Sequence, residues 1–367
     1  MKLDALLKTM IKQDASDLYL TVGAPPSMTA RGKFIRIGND KLDNDQITKM
    51  AFSLMRDDQT SDFETTLEQN LAYSLPGLGR FRVNIMRQRN SVAMVIRQIK
   101  LEILSMEQLK LPEILADLSM LSRGLVLVTG ATGSGKSTTL AAIIDHRNSN
   151  KNGHIITIED PLEFIHQHKK SIVTQREVGM DTLSFKNALK SALRQAPDVI
   201  LIGEIRDRET MEAAISFAET GHLVFSTLHS NNANQTLERI LNFFPVEEHR
   251  TVYMQLSLNL HGVVCQRLIP KKDGNGRAAV LEIMLGSPRV TDLIHKGDTA
   301  GLKEVIAAST HEGMQTFDQH LYELYKDEII GYDTAIKAAD SANDLKLKIR
   351  MEQGEQIETD ELSLESE

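Results

Sequence analysis

The residues with the clearest chemical capability are Gly130-Ala131-Thr132-Gly133-Ser134-Gly135-Lys136-Ser137, followed by Thr138. They satisfy G-x-x-x-x-G-K-[ST] at every fixed position. The glycines permit backbone dihedrals closed to other residues, so successive N–H groups can turn toward phosphate oxygens. The start of the following helix adds its positive dipole end. Lys136 is spaced to reach the β- and γ-phosphates, and Ser137 to ligate Mg²⁺. Nucleoside triphosphate binding is the chemistry this predicts. Hydrolysis needs more: an acid near the metal and a polarised water. Val199-Ile200-Leu201-Ile202 ends in Gly203-Glu204, with Arg206 and Asp207 next. An acid at the exit of a buried strand is where such a group must sit, although a strand ending in a solvent-facing Glu has the same pattern.

Two further strand exits carry polar groups. Ile155-Ile156-Thr157-Ile158 runs into Glu159-Asp160-Pro161 and then Leu162-Glu163. These carboxylates, with a proline fixing the turn, suit water activation or the surroundings of Mg²⁺; a solvated charged loop is the plainer alternative. Leu223 to Thr227 is bracketed by His222 and His229. A histidine there can sense phosphate, position water or simply cap an element. No third ligand follows, so the two are not read as a metal pair.

The elements that must hold these groups are legible as a change of rhythm. LVLVTG, IITI, VILIG and LVFSTL are short, continuous, β-rich apolar runs separated by helical stretches. That alternation predicts an α/β fold with a parallel-rich sheet covered on both faces. The organisation expected is a small α+β domain over residues 1–100 and a linker over 101–111. A nucleotide-binding domain with C-terminal helices follows over 112–350, and an acidic disordered tail over 351–367. In the first domain Leu3, Leu6, Leu7, Met10 and Ile11 recur at helical spacing. Leu18, Leu20 and Val22 suggest one strand, and Phe34, Ile35 and Ile37 a second. Asn44 to Met55 reads as a helix with Asp43 or Asn44 as cap. Phe81, Val83 and Ile85 alternate with Arg80, Arg82 and Asn84, turn at Gln88 to Asn90, and return as Val92 to Ile99, a hairpin rich in arginine that includes Arg97. The lone cysteine, Cys265, lies in an apolar, helix-like stretch and reads as a core thiol. Short helices are expected from Arg289 to Arg350.

Composition bounds the function. Of 367 residues, 42 are Lys or Arg and 50 are Asp or Glu, a net charge of -8. Seven acidic residues and no basic one lie between Glu352 and Glu367, so the body is nearly neutral and the end is a solvated tail. With no basic tract and no Trp, nucleic acid is not the expected partner. One Cys excludes a disulfide framework and a Cys-rich zinc site. No apolar run reaches 18 residues, and the amphipathic start is not a signal peptide, so a cytoplasmic protein without a membrane span is expected.

Together, the phosphate loop, IEDPLE, IGEIRD and TGHLVFSTLH stand in the order and spacing of the Walker A, Asp, Walker B and His boxes. This set resembles the secretion and type IV pilus ATPase superfamily, over nearly the whole chain. SDLYLTVGAPPS and GRFRVN look like the PAS-like domain that precedes the RecA-like domain in pilus retraction ATPases. Ala192 to Asp198 and DSANDLKLKI look most like the PilU branch. Val290 to Lys296 keeps only the Leu-Ile core of the AIRNLIRE motif of the PilT branch. The four-cysteine zinc element of the extension and type II secretion members is absent. The resemblance implies Glu163 as general base, Glu204 as the Walker B acid acting through Mg²⁺, and His229 as phosphate or interface sensor, with His222 a weaker candidate. It implies Arg82 and Arg97 as arginines that close over the phosphates; Arg80, Arg194, Arg206 and Arg239 could also serve, or bind the neighbouring subunit. It further implies ATP and Mg²⁺ as cofactors and a homo-hexamer at the cytoplasmic face of the inner membrane. Its partners would be the pilus platform protein and a paralogous retraction ATPase. The readings it competes with are the principal retraction motor, an ATP-binding coupling subunit with little turnover, and a nucleic-acid translocase.

Overall fold

Alternating apolar residues early in the chain and continuous apolar runs later build two different sheets. The computed structural model describes residues 3–30, 32–75, 78–99 and 102–352; of the tail expected over 351–367, Met351 and Glu352 end the helix Ala342–Glu352, and the rest lies outside the described residues. The chain divides into two units. The first holds the described residues up to Ile103 together with Pro161–Gln167 and Glu177–Leu183; the second holds the rest.

In the first unit the helix Leu3–Lys12 buries Leu3, Leu6, Leu7 and Met10, one stripe at helical spacing. Six strands follow: β1 (Ala15–Leu20), β2 (Ser27–Ala30), β3 (Lys33–Arg36), β4 (Glu68–Leu75), β5 (Gly79–Gln88) and β6 (Ser91–Ile99). They pair in the order β3-β2-β1-β6-β5-β4, each pair antiparallel. Asp43 caps the helix Asn44–Phe52: its carboxylate accepts the Gln46 N–H at 2.8 Å, and the Gln46 side chain accepts the Asp43 N–H at 3.1 Å. This is the reciprocal capping box that satisfies two orphan donors. The β5–β6 hairpin turns on Arg89 and Asn90, both at positive φ (47° and 61°), as a two-residue turn matched to strand twist requires.

The helix Asp57–Thr66 and strand β4 were not legible in the sequence. The helix buries only Phe63 and so writes almost no apolar period. Ile37, expected in the second strand, falls just past the end of β3.

The second unit is built on a seven-stranded sheet: β7 (Gly124–Thr129), β8 (Gly153–Glu159), β9 (Ser171–Glu177), β10 (Val199–Ile202), β11 (Leu223–Leu228), β12 (Leu260–Pro270) and β13 (Arg277–Leu285). The order is β13-β12-β7-β11-β10-β8-β9. The run from β12 through β8 is parallel, and β12 and β13 are antiparallel. Every residue of β7, β10 and β11 is buried, as in a sheet covered on both faces. Five helices close the described chain: Pro288–Lys296, Leu302–Ala308, Phe317–Lys326, Tyr332–Ala338 and Ala342–Glu352.

Cys265 corrects the sequence reading. It is the fully buried core thiol expected, with its pKa pushed far up by burial, but it lies in strand β12, not in a helix. β12 is flanked on both sides and buries residues of both faces. Its apolar residues therefore form a near-continuous run instead of alternating, and that run imitates a buried helix.

Candidate nucleotide site

The phosphate loop grows directly out of β7. Gly130, Gly133 and Gly135 have φ of 149°, 77° and 88°, a region in which a side chain costs strain. A Cβ on Gly130 would lie 2.4 Å from the Gln266 carbonyl oxygen, so packing excludes it as well. Gly135 caps the helix Lys136–Asn150. Ser137 and Thr138 sit in its first turn, where unsatisfied N–H groups and the dipole favour an anion. Lys136 is buried, and its ammonium donates to the carbonyl oxygens of Gly130 (2.8 Å) and Ala131 (3.0 Å).

Parallel pairing brings the other motifs of this unit to the same sheet edge. β7, β11, β10 and β8 are successive neighbours, and their C-terminal ends lead into the loop, His229, Glu204 and Asp160. Open α/β sheets bind ligands at this edge. The Thr227 hydroxyl donates to Gly203 O and the Ser226 hydroxyl to Ile202 O, each at 2.7 Å, which ties the exit of β10 to β11. The Glu204 carboxylate is held from two sides. Its Oε1 lies 2.9 Å from His229 Nε2, and its Oε2 accepts from Arg206 Nε at 2.7 Å and Nη2 at 2.6 Å. Asp160 adds to the negative field on Arg206. Asp207 is structural: its carboxylate accepts the Thr210 N–H and caps the helix Arg208–Glu219.

His222 is not brought to this edge. It sits before the N-terminal end of β11, where its Nδ1 bonds the Phe217 carbonyl (3.1 Å) and the Thr220 hydroxyl (3.2 Å). It finishes the preceding helix, so the weaker histidine candidate is a capping residue.

A pocket of about 390 Å³ lies against the loop and is lined there by Gly133, Ser134, Gln266, Leu268 and Arg277. A second, of about 280 Å³, is lined by Ala131, His229, Asn231, Glu238 and Arg239. Sequence reasoning missed Asn231, Gln266, Leu268 and Arg277. Three of them come from the β12–β13 hairpin, and the one available signal was a polar Gln266 inside an apolar run.

Of the remaining candidates, Glu163, Arg80, Arg82 and Arg97 belong to the first unit, and Arg194 and Arg239 to the second. Glu163 is exposed and follows buried Leu162; it groups with the first unit and not with the loop. Arg82 and Arg97 are directly opposite each other on β5 and β6. Asp17 on β1 faces Arg97 in turn and accepts from its Nε at 2.8 Å. Like charges opposed across a sheet repel, so the Asp17 carboxylate offsets the pair. Glu177 is buried; burial pushes its carboxyl up in pKa, against the pull of Arg82 and Arg80. Arg194 lies in a 3-10 turn, and Arg239 stacks 5.3 Å from the Phe243 ring.

The family model of the type II/IV secretion system protein matches residues 2–323. The chain belongs to that family. Within the secretion family it is 53% identical to the type IV pilus ATPase PilU of Pseudomonas aeruginosa, over 99% of this chain and 94% of the relative. It is 45% identical to the type IV pilus retraction ATPase PilT of the same organism, over 92% of this chain and 98% of the relative. The crystal structure of the pilus retraction motor PilT with bound ADP superimposes with a TM-score of 0.87 at 42% identity, covering 95% of this chain and 99% of that one. The resemblance read from the four boxes is therefore borne out, as is the leaning toward PilU. Among the described residues no helix is long and apolar enough to cross a membrane.

Proposed function

We propose that this chain is an ATP-hydrolysing motor subunit of a type IV pilus machine, an accessory retraction ATPase of the PilU kind. The observation that carries the reading is the shared sheet edge: the phosphate loop, His229 and Glu204 leave successive parallel strands. The chain's likeness to PilU and PilT supports the assignment to pili, and its 42% identity to a twitching motility protein of Neisseria gonorrhoeae supports the assignment to twitching motility. In this reading the loop N–H groups and Lys136 hold the phosphates, and Lys136 gives up its two carbonyl partners to do so. Mg²⁺ takes few protein ligands and shares oxygens with the phosphates. Ser137 Oγ and Glu204, the latter through water, are hard oxygen donors that fit it. Mg²⁺ would neutralise charge between the β- and γ-phosphates. Glu163 takes a proton from the attacking water. His229 couples the carboxylate of Glu204 to the state of the phosphate. Arg82 and Arg97 compensate charge in the transition state. The motor works as a homo-hexamer at the cytoplasmic face of the inner membrane, beside a paralogous ATPase and against the platform protein.

ATP hydrolysis by the purified chain, with oligomer size recorded in the same samples, tests this. Glu163→Gln and Glu204→Gln are each expected to lower turnover at least about 100-fold, the scale of removing one group aimed at the transition state, while nucleotide still binds. Turnover equal to that of both variants would assign the chain to a coupling role instead.

A further inference from the structure

We propose that Gln266 is a positioning residue for the phosphate-binding loop, fixing the direction of a loop N–H through both ends of its side-chain amide. The inference rests on the nucleotide-site reading above. Gln266 lies on β12, 132 residues from Ser134 along the chain, and its Nε2 donates to the Ser134 carbonyl at 2.8 Å. Its Oε1 accepts from the Thr139 hydroxyl at 2.7 Å. Gln266 and Thr139 are 3% and 2% exposed, so water competes little for either bond. The amide can sit only one way round. A carbonyl cannot donate, so the Ser134 oxygen requires the –NH₂ end, and the Thr139 hydroxyl then meets the oxygen.

The contact reaches the backbone too. The Gln266 carbonyl oxygen is 2.4 Å from where a Gly130 Cβ would be, and its Nε2 is 2.8 Å from where a Gly135 Cβ would be. Two of the invariant positions of the loop pattern are therefore closed against the same residue. In a trans peptide the C=O and the next N–H point in opposite directions. By holding the Ser134 carbonyl, Gln266 turns the Gly135 N–H away from β12. That N–H is one of the loop donors the spacing predicts for phosphate. Thr139, in the first turns of the helix Lys136–Asn150, stops the amide from rotating. Together they tie the loop and the helix that follows it to a strand far away in sequence.

The test uses the full chain, a fluorescent ADP analogue as probe, and melting without nucleotide as control. Gln266→Leu should weaken binding about tenfold, equivalent to about 1.4 kcal/mol, and Thr139→Val about threefold. The double variant should bind no more weakly than Gln266→Leu, because the hydroxyl acts through the amide. Gln266→Glu should bind poorly at pH 8, where a carboxylate faces the Ser134 carbonyl. Its affinity relative to wild type should recover toward pH 6, as the protonated acid regains a donor; a side chain that merely filled space would give a flat ratio. If Gln266→Leu does not fold, Thr139→Val and Gln266→Glu decide. Wild-type affinity in these variants, or strictly additive losses with a flat pH ratio, would overturn the role of Gln266 alone. A wild-type chain that fails to bind the probe would remove the nucleotide reading and this inference with it.

Discussion

In the second unit Lys136 is 9% exposed and bonds two backbone carbonyls, whereas in the first unit Arg97 keeps 69% of its side chain in solvent and holds Asp17. Both cations are candidates for the phosphates. Lys136 is placed by its own loop, within six residues, and burying it commits the loop to one shape. Arg97 is placed by the carboxylate of Asp17 on another strand; Asp17 is itself buried, but the guanidinium stands in solvent, which screens the pair and limits what it contributes. Charge effects should therefore be large in the second unit and small in the first, and an exposed arginine is the one free to change partners.

The sharpest way to break this contrast is Lys136→Ala, which removes a buried cation at the heart of the loop. It should abolish measurable ATP hydrolysis, a loss of at least about 100-fold, read as phosphate release. Turnover within threefold of wild type would mean that the loop does not need its lysine.

Next comes His320, which is 8% exposed and accepts the Leu281 N–H through Nδ1 at 2.9 Å. Burial holds its pKa down, to about 4 from 6.5. The folded state thus binds fewer protons than the unfolded state between those values. Stability from the neutral ring is complete above pH 6.5 and is lost as pH falls toward 4. Over that window the loss should reach about 3 kcal/mol. His320→Gln should melt with a flatter pH dependence below pH 6.5; an unchanged slope would place the titrating group elsewhere.

The smallest effect should be Asp17→Asn. With Arg97 so exposed, the folded state should lose less than about 1 kcal/mol, read by denaturant unfolding. A loss of 3 kcal/mol would put the first unit's ion pair on the footing of a buried one. Arg97→Ala should lower ATP turnover more than Asp17→Asn does, since the carboxylate only holds the arginine.

The same contrast explains what could be read from the sequence. The loop is local: its residues, spacing and flanking strand and helix are contiguous, so Gly130 to Thr138 were all legible. β7, β8, β10 and β11 were legible because strands buried on both faces write continuous apolar runs. β12 wrote a run too, but Leu260, Val263 and Val264 can be spaced on a helix equally well, and the hairpin passed unseen. Gln266 passed unseen with it, because its partners lie 127 and 132 residues away. The ring bonds that turn His222 into a cap, and the Asp17 carboxylate facing Arg97, are likewise tertiary facts that no spacing announces.

Strand β12 also has a mechanical consequence. β7 lies between β11 and β12, so a load applied at the phosphate loop is shared by a strand on either side. Along β12 the residue after Gln266 is Arg267, whose Nη1 bonds Asp340 at 2.8 Å and the Ala338 carbonyl at 3.2 Å, while its guanidinium lies 3.8 Å from the Phe317 ring centre. One peptide link thus separates the grip on the loop from the grip on the C-terminal helices. Close-packed interiors have low compressibility and transmit strain. A shift of the loop would therefore be felt at those helices through Gln266 and Arg267.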